Sequence, residues 1–303
     1  MITPYRVNLK NRTMLSIKEF FDFEKYPFEH EKLFHRDGVS NVVDALDQIG
    51  PYCQEWLDAV PLNSAENDCE VKHNNWPNCF STGEFTVVVE PSAEFLPDRI
   101  ISDGEEGFLY ISSNTKVIGG TFDLTKGSVF IGESSDVQGA WICGPTIIGR
   151  KTVIRPGAYF RGNVIVGNNC TMRGELKNTV VMNEADFPHP SYLGDSICGN
   201  KTHFGNQATA ANVNIFGGKS SIKIKVDGEK IDTGRRKIGI IMGDKSQVGC
   251  NSVSDPGTFL KPGTIAYSLS RINAGIYGPN EILKNKPMEH GVIERVEKKL
   301  SVQ

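Results

Sequence analysis

Of the six histidines in this 303-residue sequence, one sits in a segment dense with chemistry. His189 stands between Pro188 and Pro190 and is followed by Ser191, Tyr192, Leu193, Gly194 and Asp195. Imidazole exchanges a proton near neutral pH, so a histidine so placed suits general acid–base work. Taken alone it reads equally as a loop histidine with no role. The cations that stand out are Arg155 in IRPGA, Lys177 in GELKN, and Arg235, Arg236 and Lys237 in DTGRRK. A guanidinium fork and an ammonium both suit a phosphate dianion. Each is also, on its own, an ordinary solvated charge. Asp68, Cys69, His73 and Cys79 invite a zinc reading, but their spacing matches no finger and no metal is expected.

The elements that must position these groups announce themselves by a six-residue beat. Between residues 148 and 172 an apolar residue recurs at Ile148, Ile154, Phe160, Val166 and Met172. Four places after each of the first four come Thr152, Ala158, Val164 and Cys170. A second clean block holds Met242, Val248, Ser254, Leu260 and Ala266, with Ser246, Ser252, Thr258 and Thr264 between. A looser version runs through Ile118, Leu124 and Phe130 and slips one place to Ile131-Gly132 and Val137. Six fits neither a 3.6-residue helix nor a hairpin meander. It fits short strands joined by tight corners and stacked as a β-solenoid, each unit burying its apolar residue against its neighbours. Corners need Gly, Asn or Asp, as in Gly167-Asn168-Asn169 and Gly243-Asp244-Lys245.

Around that repeat the chain divides into 1–62, 63–106, 107–285 and 286–303. Residues 15–23 (LSIKEFFDF) and 42–57 carry apolar residues at helical spacing, with a cap region at Ser40 and Asn41 and a break at Gly50-Pro51. Residues 63–106 read as a linker and lead-in strands, with strands at 85–89 and 107–111. Residues 214–236 interrupt the repeat; alternation flanking Asp227-Gly228 predicts a β-hairpin there. ERVEKKL at 294–300 reads as a short exposed helix or frayed tail. For residues 1–62 two roles stay open: a cap over one end of the solenoid, or a surface for a partner. A net charge of −3 argues against a nucleic-acid surface. Seven cysteines with no CxxC pair point to a reducing compartment. No apolar run of membrane-spanning length and no leader pattern is seen, so the expectation is a soluble, cytoplasmic protein with no membrane partner.

From about residue 107 to 269 the chain resembles the left-handed β-helix acyltransferases. More narrowly, it is similar to the acetyltransferase domain of bifunctional sugar-1-phosphate nucleotidylyltransferase/glucosamine-1-phosphate N-acetyltransferases. IRPGA, GELKN, HPSYLGDS, Ala210-Ala211-Asn212, DTGRRKIG and Met242-Gly243-Asp244 carry the likeness by their order and spacing. The fold so implied is mainly β: a single-stranded left-handed parallel β-helix with a small N-terminal α-helical region and an inserted β-hairpin, assembled as a homotrimer. The implied reaction moves an acetyl group from acetyl-CoA to the amine of an amino-sugar phosphate such as glucosamine-1-phosphate, with no metal. In that scheme His189 is the general base. Arg155 and Lys177 hold the sugar phosphate, Tyr192 and Asn212 orient the sugar or the thioester carbonyl, and Lys237 binds substrate. Arg235 and Arg236 meet coenzyme A phosphates, and Cys250 and Ala266 line its groove. His203 replaces an asparagine as a further substrate contact.

Residues 1–60 lack the glycine-rich nucleotide loop, so nucleotidyl transfer is not expected. Asn206 and Gln207 stand where relatives keep glycine, and Val213 where some have tyrosine. These differences leave two alternatives: a non-catalytic sugar-nucleotide-binding β-helix that partners a nucleotidyltransferase, or an acyltransferase with a different amine acceptor.

Overall fold

The computed structural model describes residues 14–62, 70–73, 79–81, 84–103, 107–215, 218, 220–226, 228–285 and 293–297. They form two compact units, one of residues 48–190 and the other of residues 1–47 with 191–303. Each contains three ladders of short parallel strands, the arrangement of a β-solenoid.

In the unit 48–190 one ladder runs through Glu94–Leu96, Lys116–Ile118, Asp136–Gln138, Val153–Ile154, Thr171–Met172 and Asp186–Phe187. A second joins Cys79–Ser81, Arg99–Ser102, Thr121–Asp123, Trp141–Cys143, Tyr159–Arg161 and the start of Glu175–Val181. The third joins Phe85–Val89, Gly107–Ile111, Val129–Ile131, Thr146–Ile148, Val164–Val166 and the end of Glu175–Val181. The lead-in strands before residue 107 therefore share the ladders of those after it. In the other unit Tyr192–Cys198 opens two ladders. One continues through Thr209–Ala210, Val253–Ser254 and Arg271–Ile272, the other through Ile240–Met242, Thr258–Leu260 and Gly275–Tyr277. The third joins His203–Phe204, Gln247–Val248, Ile265–Ala266 and Glu281–Asn285.

The six-residue beat is the core. Ile148, Ile154, Phe160, Val166 and Met172 are all fully buried, as are Thr152, Val164, Ser246, Ser252, Thr258 and Thr264 between such positions. The hydroxyls bond backbone carbonyls of the next turn, as Thr152 does to Gly167 at 2.8 Å and Ser246 to Lys261 at 3.0 Å. Buried polar atoms without partners cost stability; Thr152, Ser246, Ser252 and Thr258 have theirs, whereas the Thr264 hydroxyl has none. Upstream the expected register needs correction. Leu124, Ile131 and Val137 are buried as read, but Val117 and Val129 are buried in place of Ile118 and Phe130. Val117 pairs with Val137 and Tyr110 with Phe130, so the turn is longer there and the phase slides.

The ladder containing Thr146–Ile148 and Val164–Val166 is buried on both faces, every residue of those two strands included. Strands covered on both sides read as continuous apolar runs. The cover comes from the N-terminal region. Helix Val42–Asp58 places Val42, Val43, Ala45, Leu46, Ile49, Cys53 and Leu57 in the core. Trp56 meets Phe130 edge to face at 5.0 Å, and Gly50 faces the Asn163 side chain. Phe20 packs on Phe259 at 6.2 Å within the other unit. Within each unit, taken by itself, residues of the N-terminal region thus pack on a strand ladder.

Three further expectations change. Residues 15–23 form only the 3₁₀ turn Ile17–Glu19, because Phe20 and Phe21 both turn into the core and a continuous helix would splay them. The helix passes through Gly50-Pro51 without a break; the Pro51 ring lies on its exposed side. Asn41 is its cap, Oδ1 accepting from Val43 N at 2.8 Å and Asp44 N at 3.2 Å. Residues 293–297 form neither helix nor tail but the strand Ile293–Glu297, antiparallel to Glu281–Asn285. Arg295 grips Glu281 there through Nε and Nη2 at 2.9 and 2.8 Å.

Candidate active site

In the unit 48–190, Arg155 follows the strand Val153–Ile154, with its backbone N–H bonded to Met172 O at 2.9 Å. Its side chain is exposed, and Nη1 donates to the carbonyl of Pro188 at 3.1 Å. This places a guanidinium against the residue that precedes His189. His189 is itself exposed, at the corner after Asp186–Phe187. Lys177 lies half-buried on Glu175–Val181. On that outer face Arg161 pairs with Glu175 at 2.7 Å, and Trp141 meets Tyr159 at 6.2 Å.

In the unit containing 191–303, Tyr192 begins the strand Tyr192–Cys198 and is half-buried. Asn212 and Lys237 are its neighbours in the candidate set. Val213 and Lys237 form an isolated antiparallel bridge, and Ile238 N donates to Asn212 O at 3.1 Å. Gly194 joins Tyr192 to Asn212. A Cβ there would stand 2.5 Å from Tyr192 Oη and 2.6 Å from Asn212 Nδ2. Phenol and amide therefore crowd one point of backbone that only glycine leaves open. Asn212 Nδ2 also donates to Asp195 Oδ2 at 2.7 Å. Sequence reasoning gave neither Asp195 nor Gly194 a part in the site. The signal was the run Gly194-Asp195-Ser196, which breaks the apolar pattern between Leu193 and Ile197 in this strand.

Arg235 is held in place. Its Nη1 forms an ion pair with Asp47 and its Nε donates to Lys237 O at 3.3 Å. Its side chain braces the end of the hairpin, while Arg236 and Lys237 are exposed. The hairpin itself pairs Lys223–Val226 with Glu229–Asp232. Ile222, Ile224 and Ile231 are buried, and the first two lie against Gly257. The Ser221 hydroxyl beside Asp232 holds that carboxyl below the usual carboxylate range, helped by Gly234 N–H.

Cys250 and Ala266 belong to a different corner of the same unit. Gly249 N donates to Ala266 O, Leu269 N to Cys250 O and Asn251 N to Asn206 O, at 2.8–2.9 Å. Cys250 is exposed, whereas the Ala266 side chain is buried, so Ala266 can offer only backbone. His203 is half-buried on His203–Phe204. Among the described residues no group of three His, Cys, Asp or Glu could hold a metal ion, and no helix is long and apolar enough to cross a membrane. Asp68 and Cys69 of the candidate zinc set lie outside the described residues.

Comparison with models of known protein families gives no match. Among curated proteins the chain is 34% identical over 135 residues to a bifunctional sugar-1-phosphate nucleotidylyltransferase/acetyltransferase of Sulfurisphaera tokodaii, a match covering 44% of this chain and 33% of that protein. It is 35% identical over 109 residues to the bifunctional protein GlmU of Methanocaldococcus jannaschii, covering 36% of this chain and 25% of that one. It is 29% identical over 145 residues to the putative uncharacterized acetyltransferase YaiX of Escherichia coli, covering 47% of this chain and 62% of that protein. The chain thus spans a third or less of the length of the first two relatives.

Proposed function

We propose that this chain is an acetyl-CoA-dependent N-acetyltransferase acting on an amino-sugar phosphate of the glucosamine-1-phosphate type. The acetyltransferase likeness of its relatives and the solenoid architecture support the acyl-transfer class. The observation that carries the finer reading is the 3.1 Å bond from Arg155 Nη1 to Pro188 O, which sets a guanidinium beside the residue preceding a histidine. In the proposed reaction the imidazole of His189 takes a proton from the sugar's amine, and the amine nitrogen attacks the thioester carbon. The carbon–sulfur bond then breaks and coenzyme A leaves as its thiolate, which takes up the proton. Arg155 and Lys177 hold the phosphate dianion. Tyr192, Asn212 and Lys237 orient the acceptor and the acyl group. Arg236 meets coenzyme A phosphates, and the corner of Cys250 and Ala266 lines its arm. Arg235 supports this set by bracing the hairpin.

The coil turns left-handed in this reading, and three copies assemble through flat coil faces in the cytoplasm. Purified protein given acetyl-CoA and glucosamine-1-phosphate should release free thiol, and His189→Ala should reduce that release by two orders of magnitude or more, roughly what a general base contributes. Release that persists unchanged in His189→Ala would falsify the assignment.

A further inference from the structure

Asp195 is buried in the strand Tyr192–Cys198, yet its backbone lies at φ 49°, a left-handed conformation that a residue with a Cβ adopts only at a cost. Its carbonyl accepts from Gly239 N at 2.8 Å, and its Oδ2 accepts from Asn212 Nδ2 at 2.7 Å. An ionised carboxylate can only accept, so the amide of Asn212 must turn its nitrogen toward Asp195. The orientation is fixed by chemistry, not by a choice between two similar-looking atoms. Asn212 Oδ1 is the end turned away from the carboxylate. The main chain of Asn212 is pinned as well, through its carbonyl to Ile238 N at 3.1 Å. Tyr192 Oη stands over the same Gly194 as the amide.

We infer that Asp195 is a positioning residue: it locks Asn212 so that Oδ1 faces the acyl acceptor and receives an N–H or O–H from the amino sugar. A thioester carbonyl has no proton to give, so an Oδ1 held outward suits the acceptor's N–H or O–H and not the acyl carbonyl. The inference rests on the amino-sugar phosphate reading above.

Titration calorimetry with glucosamine-1-phosphate and, separately, with coenzyme A tests it on wild type, Asp195→Asn, Asn212→Ala and the double variant. In Asp195→Asn the new amide can donate or accept, so Asn212 is free to flip. Its affinity for the sugar phosphate should fall about tenfold, the scale of one lost hydrogen bond, while coenzyme A affinity stays within about twofold. The double variant should bind the sugar phosphate no more weakly than Asn212→Ala alone, because one residue acts through the other. In turnover the same change should appear as a raised KM for the acceptor with little change in kcat or in KM for acetyl-CoA. Unchanged sugar-phosphate affinity in Asp195→Asn overturns the inference, and so does an equal loss for both ligands. Should Asp195→Asn not fold, Asn212→Ala decides: selective loss of the sugar phosphate supports the role, and selective loss of coenzyme A overturns it. A wild-type protein that binds coenzyme A and no sugar phosphate overturns the underlying functional reading, and this role with it.

Discussion

At the scale of single residues, two effects dominate: crowding around Gly194 and the burial of titratable groups. A methyl group at Gly194 would meet the side-chain tips of Tyr192 and Asn212, which would have to shift, Asn212 at the expense of its bond to Asp195. Gly194→Ala should therefore fold with a melting temperature within a few degrees of wild type, while acceptor KM rises about tenfold, the value of one displaced hydrogen bond. Steady-state kinetics and a thermal scan check both halves. His30 is buried against Phe28, and desolvation lowers its pKa to about 4. The unfolded chain binds that proton near 6.5, so between the two values the unfolded state holds more protons. The stability from a neutral His30 is complete above pH 6.5 and is lost as pH falls toward 4, by up to about 3 kcal/mol. Urea midpoints measured from pH 7.5 to 4.5 should show this slope, and His30→Gln should flatten it. Burial also pushes the thiols of Cys53 and Cys170 up to about 12, whereas Cys250 is exposed. Peptide mapping after brief treatment with a thiol reagent at pH 8 should find Cys250 labelled and Cys53 and Cys170 protected until urea is added.

At the scale of elements, the doubly covered flank sets the stability. Phe259 has no exposed surface and touches Phe20 as well as the core. Phe259→Ala removes a large ring from a packed site and should cost about 3–5 kcal/mol, seen as a lower denaturant midpoint. The hairpin is held from both sides, by Ile222 and Ile224 against Gly257 and by the Arg235–Asp47 pair. Asp47 is mostly exposed, which screens that pair, so Asp47→Asn should lower stability by no more than about 1 kcal/mol. A larger loss in the denaturant midpoint would show that the brace matters more than solvent screening allows.

For the molecule as a whole, the outer faces are the remaining surface of interest. Trp141 and Tyr159 stand half-exposed side by side on a flat ladder, with Arg161 and Glu175 beside them. Aromatic side chains on an open sheet suit burial against a second copy. Light scattering should give the mass of three chains, and charge introduced by Trp141→Glu should shift it toward one. A wild-type mass of one chain would exclude the trimer.

The sequence by itself determined the coil. A six-residue beat is a local repeat, and every turn must bury the same position against the one before it, so Ile154, Phe160 and Met172 could be placed without knowing anything farther along the chain. It also shows where the beat breaks, and those segments hold His189, Tyr192 and Asn212. Where the turns lengthen, around Val117 and Phe130, the spacing lost its meaning and the register slipped. What only the tertiary structure decided are the pairings between residues far apart in sequence: Phe20 with Phe259, Arg235 with Asp47, the Arg155 side chain with Pro188, and Asp195 with Asn212. No spacing encodes such contacts, because they depend on how the coil brings distant corners to one place. The histidine of the opening segment stands out in the sequence by its neighbours Pro188, Pro190 and Tyr192. The glycine and aspartate that follow it became meaningful only when Asn212 was seen folded back upon them.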